Sequence, residues 1–208
     1  GYECHMLCAP PRPGESRGDD VVCLGNPLEC GVQRKLNKFT GNYGQGFPLA
    51  TRQLIQELER FAPDIVQLHN LHHQFFDLKT LFCYLKKKQI PTVWTLHDCW
   101  PLTGHCAHYM MNGCERWKTG CGKCPDLQHY PAIHRDTTAR LFAQKVAMYG
   151  DMKNLFLVAP SDWTKAQIER SFLQRHSVTV IKNGIDQTAF RPRQSDFRKR
   201  YGLENAFI

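Results

Sequence analysis

The chain has 208 residues, a mass of 24.0 kDa, 42% hydrophobic and 22% charged residues, a composition that excludes disorder, a collagen-like repeat and a coiled coil. No apolar stretch approaches the roughly 20 residues of a membrane-spanning helix, and no basic start followed by an apolar run marks a secretion signal. Its ten cysteines are too sparse for a disulfide scaffold, and its net charge of +8 with a pI near 9.0 suggests nucleic acid, a phosphorylated substrate or an acidic membrane surface as partner without choosing among them.

GYECHML, opening at Gly1 without an initiator Met, reads as a strand that starts abruptly, and the chain stops at Phe207 and Ile208 inside a fresh apolar segment, so a fragment of a longer protein is expected. CAPPRPGESRGDD reads as a surface loop. VVCLG, from Val21 to Gly25, is a short strand with a glycine stop. NPLECGVQRKLNKFTGNYGQG carries four glycines and little periodicity, which predicts loop with a short helical piece. From Phe47 the pattern changes: Leu49, Leu54, Ile55, Leu58 and Phe61 recur at helical spacing. Pro63 ends that helix and DIVQLHN follows as a buried strand. Leu78, Leu81, Phe82 and Leu85 mark the next helix, closed by lysines that suit the negative end of its dipole. Pro91 breaks it, and TVWTLHD is the following strand. Arg135 to Met152 reads as a helix, LFLVAPS as a strand, Trp163 to Leu173 as a helix capped by Ser161 and Asp162, and VTVIKNG as a last strand. This alternation predicts an α/β fold, a doubly wound parallel sheet with helices on both faces. The continuous apolar strand interiors suit a sheet covered on both sides.

In such sheets ligands bind outside the carboxyl ends of the strands. Two predicted strands end in polar tips, His69 and Asn70 after one, His97 and Asp98 after the other. His72 and His73 follow the first tip and Trp100 the second, where an aromatic ring with a polar rim suits a sugar or a base. Each histidine alone reads equally as a strand cap; two at equivalent positions favour a site.

Between the second tip and the next helix, Cys106, Cys114, Cys121 and Cys124 follow the pattern C-x7-C-x6-C-x2-C. Such thiolates can close a structural zinc site that clips together a loop too polar and glycine-rich for a core of its own. His105 and His108 are nearby alternative ligands. Structural zinc, two disulfides and free thiols remain open, with zinc favoured and disulfides last in the absence of a secretion signal. A catalytic metal is not expected, because four thiolates leave no position for water. Cys4, Cys8, Cys23, Cys30, Cys83 and Cys99 are scattered and read as small buried residues or surface thiols.

LHNLHHQFFDL, TVWTLHDCWPLTGHC, GCERWKTGCGKCPDL, VAPSDW and VIKNGIDQTAFRP together resemble the succession found in glycosyltransferase family 4, in the branch that makes capsular or colanic-acid-type surface polysaccharides. The likeness runs from about Asp64 to Pro192. It implies a GT-B architecture, two Rossmann-like domains facing a cleft, with the acceptor on the first and the nucleotide-sugar on the second. Residues 1–183 would then be the acceptor-side domain lacking its first strand, with a cysteine-rich insertion at 99–130. Residues 184–208 would be the hinge and the start of a truncated donor domain, with Asn183, Gly184 and Asp186 near the hinge. The resemblance implies retaining transfer from a nucleotide-sugar donor to a lipid-linked or saccharide acceptor, no catalytic metal, and a fragment inactive alone. It places His97 near the reacting sugar and Asp98 in that loop or on the acceptor, both as catalytic candidates. His69, Asn70, His72 and Trp100 would line the acceptor side. It also implies a cytoplasmic protein, peripheral at the inner membrane face, where Lys86, Lys87, Lys88, Arg191, Arg193, Arg198, Lys199 and Arg200 would meet anionic lipid. The alternative from another class is a zinc-containing nucleic-acid-binding module. Its basic residues are spread along the chain rather than interleaved with aromatics, and a βαβ frame is not a groove-reading motif, so no nucleic-acid partner is expected.

Overall fold

The computed structural model describes residues 1–11, 18, 21–128 and 130–207. Most of the expected loop CAPPRPGESRGDD lies outside the described residues. Two parallel sheets form: β1 (Met6–Cys8) pairs with β2 (Val21–Cys23), while β3 (Val66–Leu68), β4 (Thr92–Thr95), β5 (Leu155–Ala159) and β6 (Val178–Val180) lie side by side in that order. The α/β fold with parallel strands agrees with the expectation. Cys8 and Cys23, read as scattered thiols, are register partners across β1 and β2 with their sulfurs 3.8 Å apart.

The segment expected to be mostly loop contains α1 (Pro27–Thr40), a helix of 14 residues. Asn26 caps it by accepting from the Glu29 N–H at 2.8 Å, Pro27 supplies a preset first position, and Gly41 ends it in the left-handed region at φ 71°. Gly41 is therefore a helix stop rather than a sign of loop. Leu28, Val32, Leu36 and Phe39 do recur at helical spacing, but they face solvent. The buried side carries Cys30 and Asn37 instead. Asn37 is satisfied by donating to Gln45 O and Gln74 Oε1. The helical spacing of Leu28, Val32, Leu36 and Phe39 marks a helix in the sequence itself, so the expectation of little periodicity is corrected; what the sequence does not show is that this stripe faces solvent.

α2 (Pro48–Phe61) forms where expected and buries Leu54 and Leu58; Leu49 is exposed. α3 (Leu78–Lys88) is capped by Asp77, which accepts from the Thr80 N–H, and ends in Lys86, Lys87 and Lys88. The helix expected from Arg135 to Met152 is shorter: α4 (Thr138–Lys145) runs on into a π-helical turn (Val146–Gly150). α5 (Asp162–Glu169) starts at its Ser161 cap, and α6 (Phe197–Arg200) is a single late turn.

Leu68, Trp94, Leu157 and Val178 form one row across β3 to β6. Trp94 meets Phe82 from α3 and Tyr149 from the π-turn, with ring centroids 5.7 and 5.1 Å away, locking both helices to the same sheet face. The other face differs from the expectation of full cover. Gln67, Phe156 and Thr179 point to it and are exposed, so the strands alternate inside and outside rather than burying every residue. The parallel strands β3 to β6 are joined in sequence through α3, α4 and α5, and connections of this kind, right-handed as a rule, carry their helices on one side of the sheet.

Candidate functional site

The carboxyl ends of β3 and β4 bring the two polar tips together. Leu68 pairs with Trp94, so the chain leaves β3 at His69 beside the end of β4. The Trp94 indole N–H donates to His69 O at 3.1 Å and fixes that exit. The rings of His69 and His97 stack at 5.3 Å with 23° between planes, and His69 Nδ1 lies 3.0 Å from His97 Nε2. One of these nitrogens carries the proton and the other accepts it. Both rings are exposed at the sheet edge.

Asp98 is held on two sides. One carboxylate oxygen accepts from the Trp100 N–H at 2.9 Å, and the other lies 3.2 Å from His72 Nδ1. His69, Asn70, His72, His97, Asp98 and Trp100 all line one narrow cleft, with Thr95 and Pro101 among its other walls. The residues singled out at the two tips are thus neighbours in space. Trp100 is buried, with the Lys145 ammonium 3.4 Å from its ring centre, so it forms floor rather than an open stacking face.

Lys145 escaped sequence reasoning because a lysine at a helix end reads as solvated. It is buried and donates to Trp100 O at 2.5 Å and Thr103 O at 2.9 Å, tying α4 to the loop after β4. Burial lowers its pKa to about 7, partly offset by Cys121, Cys106 and Asp98. Tyr43 also went unnoticed; its ring packs 6.5 Å from Trp100.

Partial desolvation against the loop after β3, and then the neighbouring His97, push the His69 pKa below the ordinary imidazole value. In the sense of linkage, His69 stays neutral to lower pH than a free imidazole. Replacing His97 by alanine removes the second cause and keeps the first. The His69 pKa in His97→Ala is therefore expected to rise part of the way toward the ordinary value, read by NMR titration of the ring carbon protons. An unmoved value would mean that the two rings do not interact in solution.

Asn183, Gly184 and Asp186 lie exposed beyond β6 and do not line the cleft. Asp186 Oδ1 accepts from the Thr188 N–H and hydroxyl at 2.8 and 2.6 Å, a local turn.

The cysteine-rich loop departs from the expectation that it buries no core. Tyr109 and Trp117 stack at 4.6 Å and are buried, and the Tyr109 hydroxyl donates to Gln167 Oε1 of α5 at 2.7 Å. Burial raises the Cys106, Cys121 and Cys124 thiols, Cys106 to about 12, and each of the three lies within electrostatic reach of the others and of Cys114. As placed, no group of three or more His, Cys, Asp or Glu side chains among the described residues could hold a metal ion. His105 is buried beside them with neither ring nitrogen partnered among the described residues, a deficit that costs about 1–3 kcal/mol per unmet group.

A parallel α/β domain with histidines and a carboxylate at the carboxyl edge of its sheet has the layout at which such sheets commonly bind ligands. The profile described as Glycosyltransferase Family 4 matches residues 1–189, and the chain belongs to that family. The protein of Escherichia coli (strain K12) named "Putative colanic acid biosynthesis glycosyl transferase WcaC" is 35% identical over 153 residues, which cover 70% of this chain and 35% of that relative. The chain thus spans about a third of that relative's length. No solved structure matches.

Proposed function

We propose that this chain is the acceptor-side part of a glycosyltransferase that moves a sugar from a nucleotide-sugar donor to a lipid-linked or saccharide acceptor in polysaccharide biosynthesis, with retention and without a catalytic metal. The observation that carries this reading is the His69–His97 pair beside the His72–Asp98 pair in one cleft of a family 4 chain. Neutral imidazoles exchange hydrogen bonds with sugar hydroxyls, and His97 at the mouth would orient the reacting sugar. Asp98 has both oxygens engaged, so it positions the loop that carries His97 instead of serving as a free base. Stabilising a leaving diphosphate calls for cationic or backbone donors; these would come from a nucleotide-sugar domain following residues 1–183, with the hinge at Asn183, Gly184 and Asp186. The full-length protein, given a panel of nucleotide-sugars with lipid-linked acceptors, should transfer one sugar with its anomeric configuration kept. Failure with every donor and acceptor would overturn the reading. Family membership leaves the nucleic-acid module without an observation in its favour.

The membrane reading gains a specific surface. No helix among the described residues is long and apolar enough to cross a membrane, but α1 presents Leu28, Val32, Leu36 and Phe39 to solvent, between 51 and 78% exposed, with Lys35 and Lys38 on the same helix. Its acidic Glu29 is occupied by the Leu49 and Ala50 N–H groups. An apolar stripe edged by lysines suits the headgroup region of an anionic leaflet, each lysine contributing about 1 kcal/mol. Leu36→Glu with Phe39→Glu is expected to reduce co-sedimentation with anionic vesicles about tenfold or more, while uncharged vesicles bind weakly in either case. Unchanged sedimentation would assign the stripe elsewhere.

A further inference from the structure

β1 and β2 stand apart from the four-stranded sheet as a pair of three-residue strands, and a two-stranded sheet is marginally stable without support. Its noncovalent support comes from α2. Cys23 O accepts from Gln53 Nε2 at 3.3 Å, and Gln53 Oε1 accepts from the Gly25 N–H at 2.9 Å. His5, just before β1, has its Nε2 3.1 Å from the Glu57 carboxylate. The Leu24 N–H donates to Cys8 O at 2.8 Å and closes the carboxyl end of the pair.

Cys8 and Cys23 are the last residues of their strands and register partners. Side chains alternate along a strand, so partners in register project to the same face, opposite to Leu7, which packs against the core cluster. Their sulfurs are 3.8 Å apart. Adjacent strands are spaced about 4.7–4.9 Å, inside the roughly 4.4–6.8 Å between Cα atoms that a disulfide tolerates. Closing a bond therefore takes rotation of two side chains and no backbone movement. Both cysteines are half-buried, whereas Cys30 and Cys99 are buried, so a small reagent has access to this pair.

We propose that Cys8 and Cys23 are a redox modification site, forming a reversible disulfide by exchange with a low-molecular-weight disulfide of the oxidised-glutathione class. The thiolate of one cysteine attacks that disulfide, whose S–S bond breaks; one half stays on the protein as a mixed disulfide and the other leaves. The thiolate of the second cysteine then attacks the protein sulfur of the mixed disulfide, and the remaining half leaves. Two protein thiols and one small disulfide become one protein disulfide and two small thiols. The cysteines lose two electrons, the reagent gains them, and the two thiol protons end on the leaving sulfurs. Cross-linking residues 15 positions apart restricts the unfolded chain more than strands already paired, so the bond holds a marginal sheet in register. Neither cysteine lines the cleft, and the inference does not depend on the sugar-transfer reading.

The test is on the purified full-length protein and needs no transferase assay. After equilibration with oxidised glutathione and alkylation of the remaining thiols, peptide mapping should recover Cys8 and Cys23 joined, at a mass lower by two hydrogens, and dithiothreitol should return both thiols. The bond should raise the melting temperature of the domain that carries it by about 5 °C. Cys8→Ser and Cys23→Ser should each lose that gain under the same treatment, whereas Cys83→Ser, exposed on α3, should keep it. Both cysteines alkylated after the oxidation, both carrying glutathione, or either joined to another cysteine would overturn the proposal. A joined pair that melts no higher than the reduced protein would overturn it as well, because the bridge would then strain the register it is to fit.

Discussion

His97→Ala in the full-length enzyme is expected to lower kcat about a hundredfold or more and to leave the melting temperature nearly unchanged. The first half follows from position. The ring stands exposed at the carboxyl edge of the sheet, in the cleft proposed above for the reacting sugar, and a lost positioned acid, base or charge stabiliser commonly costs about 10²-fold to 10⁴-fold. The second half follows from contacts. The described partner of His97 is His69, and neither ring is buried, so truncation opens no cavity. Asp98→Asn is expected to behave differently. Its carboxylate joins the Trp100 N–H to His72, both of them buried, so this change lowers stability and turnover together. Paired kinetics and thermal melts on the two variants check the contrast. Equal fractional losses of turnover and stability in His97→Ala would make the histidine a strand cap.

The site was more legible than the surface around it, for a physical reason. Strand ends are marked in sequence by where an apolar run stops, so the tips Leu68–His69 and Leu96–His97 could be placed without coordinates. Parallel neighbours then bring equivalent tips together automatically. What stayed hidden depended on which way a helix faces. Lys145 lies on the buried face of α4, one turn from Leu141 and Phe142, but a lysine reads as solvated wherever it stands, and only the packing of α4 against Trp100 and Thr103 shows its role. α1 is a different case: Leu28, Val32, Leu36 and Phe39 do repeat at helical spacing, so the helix was legible, and only the outward direction of that stripe needed the structure. The open sheet face was misread because Phe156 looks like core by composition, whereas its register row holds Gln67 and Val93 rather than the buried Leu68 and Trp94. Side-chain type sets what a residue prefers, and the neighbouring element decides whether that preference is met.

Gly104→Ala is expected to be among the most damaging small substitutions in the chain. A Cβ at this position would lie 2.2 Å from the Thr138 carbonyl oxygen, 2.9 Å from its carbon and 3.0 Å from the Cys121 Cβ. The nearest obstruction is backbone in the first turn of α4, which cannot rotate aside as a side-chain tip can. Relief requires moving the loop away from α4, and the same movement stretches the Gly104 N–H bond to Cys121 Sγ and the Thr103 O bond to Lys145. Overpacking alone costs about 1–3 kcal/mol; with two buried polar contacts strained as well, a loss of about 3 kcal/mol is expected, measured by urea denaturation of the full-length protein. Gly184→Ala is the matched control, because its Cβ would meet nothing within 4 Å. A Gly104→Ala protein as stable as that control would mean that the loop and α4 are not in contact in solution.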